Sequence, residues 1–299
     1  MQGGLDRHYA GVSPQLFARV RQSWSALGLD LDAIWRESIE RLPGFSGIGH
    51  LPVFPDSRPV DLLLLFDQGV CWVDTLRHVA LRLQERGTPG KLIPEQVQGI
   101  AAIASRLRDE LAAVRSLTIS GLAMPAMQIS RSVSEDVDLA LALLVRRKLA
   151  RAFVECRTPE DAAEFWRRHV AGGRAFRLVS QGLYQFGLDY SEDSDYVRWR
   201  KEVLVFLGSA VHSSFVGTPA SSASVRSGPL NPPAQECLYF TTIRLQEVCA
   251  YSLVLGRDLR HDLFELESSG DLAGLRLRFA QSGGDIILDQ MRWLTGAEL

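Results

Sequence analysis

The sequence predicts an all-α protein: a main helical bundle with a small N-terminal helical appendage and one long irregular loop. Three observations carry this expectation. Apolar residues recur at intervals of three and four along most of the chain, the spacing of one face of an α-helix. Helix start signals also recur, the fullest being Thr158-Pro159-Glu160-Asp161, where a capping hydroxyl, a first-turn proline and two early acids coincide. No stretch alternates apolar and polar residues strongly enough to call for a strand, and no internal repeat is visible.

Ser13 can cap, and Pro14 suits the first turn of, a helix along Leu16, Val20, Trp24 and Leu27, which Gly28 interrupts. A second short helix through Ile34, Trp35 and Ile39 ends near Pro43. Residues 44–59 are rich in Gly and Pro without periodicity, so they read as an ordered connection and the one domain boundary, between an appendage at 1–59 and the main bundle at 60–299. Residues 60–86 then form a helix with Leu64, Val73, Leu76, Val79, Ala80 and Leu83 available for packing, weakened in the middle by Gly69 and stopped by Gly87-Thr-Pro-Gly. After Pro94, Val97, Ile100, Ile103, Leu107, Leu111 and Val114 define a long amphipathic helix.

A buried helix is expected over 129–156. The Thr158 restart follows, then a break at Gly172-Gly173, a helix over 175–184, and a long helix capped by Ser194 through Val197, Leu204, Leu207, Val211 and Phe215. Residues 217–233 lack periodicity and have turn-forming composition, and so form the long loop, a natural lid or contact surface. Helices are expected again at 235–255, 258–267, 271–279 and 285–294.

Composition narrows the function classes. The 299 residues are 46% hydrophobic and 23% charged, ordinary for a folded protein with a sizeable core. A net charge of −2 gives no global attraction to nucleic acid or anionic membrane, so any such contact must be local. Cys71, Cys156, Cys237 and Cys249 are scattered with no C-x-x-C pair, which fits reduced thiols better than a disulfide framework or a zinc site. The N-terminus lacks the apolar core of a signal peptide and no run reaches the roughly 18 to 20 apolar residues that span a bilayer, so the expectation is a cytoplasmic protein with no membrane partner.

The stretch that points most directly to chemistry is 133–145, a helix apolar almost all round that nevertheless carries Glu135 and Asp138. Ionised groups on such a helix need partners. Arg131 is spaced to pair with Glu135 one turn on, whereas Glu135 and Asp138 repel unless a cation, another chain segment or a ligand lies between them. His212 follows Gly208 and Ser209 and precedes Ser213 and Ser214 in an otherwise apolar helix, where small neighbours allow close approach. Arg131, Glu135, Asp138 and His212 are therefore the candidate catalytic set: Arg131 to orient an anion, Glu135 or His212 to move a proton, Asp138 to position either. The plainer reading is a helix-end ion network and a packed histidine.

The R-x-x-x-E pattern at Arg131 and Glu135 in a buried helix, followed by the V-H-S segment of Val211, His212 and Ser213, resembles a poorly characterised family of all-helical bacterial proteins related to HEPN-type domains. The resemblance spans about residues 119–217 and implies a component of a toxin or phage-defence system that acts on or binds RNA. The HEPN ribonuclease signature places four to six residues between an arginine and a histidine on one helix, and no histidine here has that arrangement. Arg257 and His261 come nearest, with three residues between them.

Other constellations are shorter. His261-Asp262, with His212 and Asp289, would be the donor set of a metal-dependent phosphohydrolase, and Asp74 and His78 share a helix face suited either to a metal or to a hydrogen bond. Arg146, Arg147, Lys148 and Arg151, with Arg157 beyond, form a basic cluster after the buried segment, able to meet phosphate or to complement a helix C-terminus. Phe165, Trp166 and Phe176 flank Arg167, Arg168, His169 and Arg174, an arrangement on which RNA could stack or which helical spacing could bury. The first functional expectation is an RNA-acting or RNA-binding defence protein; the alternative is a non-enzymatic helical module that binds a protein partner; the third is the phosphohydrolase. No cofactor and no resident metal are expected under the first two, and the partners are RNA, a protein or a further copy of the chain.

Overall fold

A computed structural model describes residues 4–26, 28–45, 54–86, 90–187, 194–211 and 228–269. The protein is all-α, and the described residues contain helices and no strand. The helices are α1 (Gly4–His8), α2 (Pro14–Ala26), α3 (Leu31–Ser38), α4 (Arg58–Glu85), α5 (Pro94–Ile119), α6 (Ala123–Val145), α7 (Arg147–Glu155), α8 (Pro159–His169), α9 (Arg174–Tyr184), α10 (Asp195–Val211), α11 (Pro232–Leu255) and α12 (Arg257–Ser268). A 3₁₀ turn at Ala171–Gly173 separates α8 from α9, where Gly172 and Gly173 both take positive φ. Leu27, the stop at 87–89, His212, Phe215, residues 217–227 of the long loop, Asp289 and the helices expected at 271–279 and 285–294 lie outside the described residues. No described helix is long and apolar enough to cross a membrane.

Four long helices form the bundle, with α5 against α4 and α6, and α11 against α6 and α4. α4 is buried nearly throughout, from Val60 to Leu76 with only Asp61 partly exposed, and Gly69 does not interrupt it. The burial follows from its composition, since Leu62 to Phe66 and Val70 to Val73 leave no polar face for water. α1 to α3 lie against it: Leu5, Tyr9, Leu16, Val20, Trp24 and Ile34 belong to the same apolar core as α4 and α5. The turn between α5 and α6 contains Gly121 at φ +76°, with the backbone of Gly228 so near that a Cβ would sit 2.4 Å from its carbonyl oxygen. Asn231 joins this contact by donating to Gly121 O at 2.9 Å while its own oxygen caps α11 through Ala234 N at 3.1 Å. Pro232 and Pro233, expected in the loop, are the first residues of α11, because that cap and the fixed φ of proline favour a helix start there.

The single buried helix expected over 129–156 is two. α6 begins earlier, at Ala123, and ends at Val145; Arg146 is extended (φ −121°, ψ 97°) and α7 begins at Arg147. The break removes helical donors from the carbonyls of Leu143 and Leu144, and the buried Gln96 of α5 supplies both, its Nε2 lying 2.9 Å from each oxygen. Gln96→Leu leaves two buried acceptors without a donor and is expected to cost about 1 to 3 kcal/mol, measured by urea unfolding. An unchanged midpoint would mean that α6 and α7 join into one helix in the variant.

Candidate functional site

The structure sends Arg131, Glu135 and Asp138 to different partners. Arg131 lies across α10, its Nη1 3.4 Å from Leu204 O, in a space that exists because Gly208 has no side chain: a Cβ there would sit 2.7 Å from that nitrogen. Glu135 is half-buried and accepts from Trp166 Nε1 of α8 at 3.2 Å. The expected Arg131–Glu135 pair is not among the ion pairs of the described residues, since each side chain is drawn to a different helix.

Asp138 is buried, and its two carboxylate oxygens are met by two guanidinium groups. Arg244 Nη2 of α11 lies 2.5 Å from Oδ1, and Arg200 of α10 pairs with Oδ2. Arg244 also pairs with Glu247 and reaches Ser134 O at 3.3 Å, and the guanidinium of Arg200 stacks 3.7 Å from the centre of the Phe176 ring. Two arginines and two carboxylates balance in charge, all of them at most 6% exposed. Such an arrangement joins α6, α10 and α11 and commits both Asp138 oxygens to guanidinium groups. His212 lies outside the described residues, and no two of Arg131, Glu135 and Asp138 pair with one another among the described residues.

Two further charged networks escaped the sequence reading. In the first, Asp67 of α4 is fully buried and takes both Arg115 Nε and Nη2 of α5 at 2.8 Å, while Tyr9 donates to Asp67 and Trp35 Nε1 donates to the Tyr9 hydroxyl at 3.2 Å. Arg115 Nη2 also donates to His8 Nε2 at 2.6 Å. That contact requires a neutral imidazole, and burial, reinforced by the Arg115 charge, brings His8 down to about 4. Trp24 Nε1 donates to Gln68 beside it at 2.8 Å. The signal was available: Asp67 is an ionised group on an apolar helix, as Asp138 is. The second network surrounds Asp136 and Glu110.

Several residues of the shorter motifs make structural contacts. Asp262 accepts from the backbone N–H groups of Lys91 at 2.7 Å and Leu92 at 3.0 Å, fixing the start of α5 against α12, and Gly90 is required there because a Cβ would sit 2.5 Å from that carboxylate. His78 Nδ1 faces Asp74 O at 2.8 Å, while the Asp74 carboxylate meets Arg77 at 3.3 Å and Arg108 at 3.5 Å. Arg146, Arg147 and Lys148 are exposed where α6 gives way to α7, with Arg147 paired to Asp258 at 2.9 Å and Arg151 to Glu95 at 3.6 Å. Phe165 is buried with its ring 5.4 Å from Phe153, and Arg167 and Arg168 both pair with Glu164. Among the described residues no three His, Cys, Asp or Glu side chains gather as metal ligands.

A groove lies on a different surface. α10 and α11 form an open groove whose lining includes Trp199, Val203, Phe206, Tyr239 and Phe240 together with Glu202 and Glu236. Val205, next to it on α10, is 74% exposed and Phe206 is 44% exposed. No protein-family model, curated protein or solved structure matches the chain.

Proposed function

We propose that this chain is a helical interaction module that docks an amphipathic helix of a protein partner on the α10–α11 face. The observation that carries this reading is the exposure of Val205 and Phe206 beside a groove walled by aromatic and aliphatic side chains. Exposed apolar surface of this kind costs a monomer solubility and marks contact sites. Glu202 and Glu236 also line it, so the partner helix carries aliphatic or aromatic anchors at helical spacing with lysine or arginine beside them. The RNA-acting and phosphohydrolase readings have less support: Asp138 and Asp262 have their carboxylates committed to arginines and to backbone N–H groups, and Arg131 serves α10.

A photo-crosslinking amino acid at position 205 of the full chain, expressed in its native host, tests this. A crosslink mapped by mass spectrometry to an apolar, basic-flanked helix of one protein supports the reading. A crosslink to RNA, or none above that of a control position on α5, overturns it.

A further inference from the structure

α10 is pinned to the bundle by Arg200 on Asp138, by Arg131 on Leu204 O at 3.4 Å and by Gln128 Nε2 on Ala210 O at 2.6 Å. These contacts set its rotation, with Val197, Arg200 and Leu207 inward and Lys201, Glu202, Val205 and Phe206 outward. At about 3.6 residues per turn, the outward side chains follow one another round the helix in the order Lys201, Val205, Glu202, Phe206, and the groove shared with α11 lies on the Phe206 side. Val205 thus has a cation on one side and an acid on the other, with Glu236 of α11 adding a second acid on the groove side. Lys201, Glu202 and Glu236 are exposed and take part in no ion pair among the described residues, whereas Arg198, at the N-terminal edge of the same face, is already engaged. Apolar anchors beside a lysine are what a helix docking on this face requires, and α10 itself carries them.

We propose, resting on the docking reading of this face, that the helix it receives is α10 of a second copy of the chain, laid parallel to the first about a two-fold axis. Such an axis runs along the paired helices, sets Val205 against its own equivalent and reverses the flanks. Lys201 of each copy then stands over Glu202 of the other, with Glu236 beyond it, and both copies gain the same pairs. An antiparallel pairing puts the two Lys201 flanks on one side and the two Glu202 flanks on the other, so that like charges meet, which selects the parallel arrangement. Because α10 is already held in place by its contacts to α6, the face needs no rearrangement to pair.

The test is sedimentation equilibrium of the full chain over a range of concentrations, for the wild type, for Lys201→Glu and for the double variant Glu202→Lys with Glu236→Lys. All three positions are exposed, so the variants are expected to keep the wild-type unfolding midpoint. The wild type is expected to approach twice the mass of one chain as concentration rises, and each charge-reversed form alone to associate about tenfold or more weakly. An equimolar mixture of the two forms, in which every facing pair is again opposite in charge, is expected to recover the wild-type affinity. A wild type that stays monomeric while a photo-crosslinker at position 205 captures a different protein overturns the second copy and leaves the docking face standing. A monomer with no crosslink at 205 removes both. Association unchanged by charge reversal, or a mixture that stays monomeric, overturns the pairing of Lys201 with Glu202 and Glu236.

Discussion

Arg244→Met is expected to destabilise the fold by about 3 to 5 kcal/mol, because it leaves Glu247 without its guanidinium and halves the positive charge facing Asp138 in a buried space. Most of that loss is the cost of an uncompensated buried charge rather than the worth of the ion pairs. The double variant Arg244→Met with Glu247→Leu is therefore expected to be more stable than Arg244→Met alone, leaving Asp138 paired to Arg200. Urea unfolding at neutral pH measures both. Equal losses in the two variants would mean that Glu247 finds another cation or water once Arg244 is gone.

Arg115→Met is expected to cost a similar amount, about 3 to 5 kcal/mol, with a further local consequence. Arg115 holds Asp67 with two hydrogen bonds and His8 with a third, and the carboxylate it anchors also receives Tyr9. Its removal frees α1 and α3 from α4, so limited proteolysis should cleave first between α1 and α4 while the four-helix bundle persists. Acid should imitate the substitution, since His8 is held neutral in the fold, its value lies below that of the unfolded chain, and the stability it contributes is lost as pH falls from about 6.5 to about 4. The same proteolysis run at pH 7 and pH 4.5 reads it out. Unchanged cleavage in both cases would mean that the apolar packing of Tyr9, Trp24 and Ile34 holds the N-terminal helices alone.

The helices were legible where local chemistry decides them. Thr158 and Asp161 form the reciprocal cap that their spacing implies, with Asp161 N on Thr158 Oγ1 at 3.1 Å and Thr158 N on Asp161 Oδ2 at 3.0 Å. The end of α6 was not legible, because apolar spacing continues through Arg146 into Leu149 and Ala150 and the break depends on Gln96, far away in sequence. Likewise the need of Asp138 for partners was readable, but their identity was not: Arg200 and Arg244 lie 62 and 106 residues further along, where no spacing rule connects them. Asp67 sits in an even more buried helix, but the apolar run from Val60 to Val79 points to packing and gives no local sign of its partner Arg115, whereas Asp74 stands out only through its spacing to His78. The groove escaped for the opposite reason. Val205 and Phe206 look like core residues in sequence, and only the placement of α10 against α6 turns them outward.

The most direct measurement is the affinity of the partner identified by crosslinking for three forms of the chain: wild type, Val205→Glu and Glu135→Gln. If the protein works through the α10–α11 face while the charges of α6 are scaffold, Val205→Glu weakens binding about tenfold or more with its unfolding midpoint unchanged, and Glu135→Gln binds as the wild type does. Full affinity in Val205→Glu, with binding lost in Glu135→Gln at unchanged stability, would contradict this and return the functional site to α6.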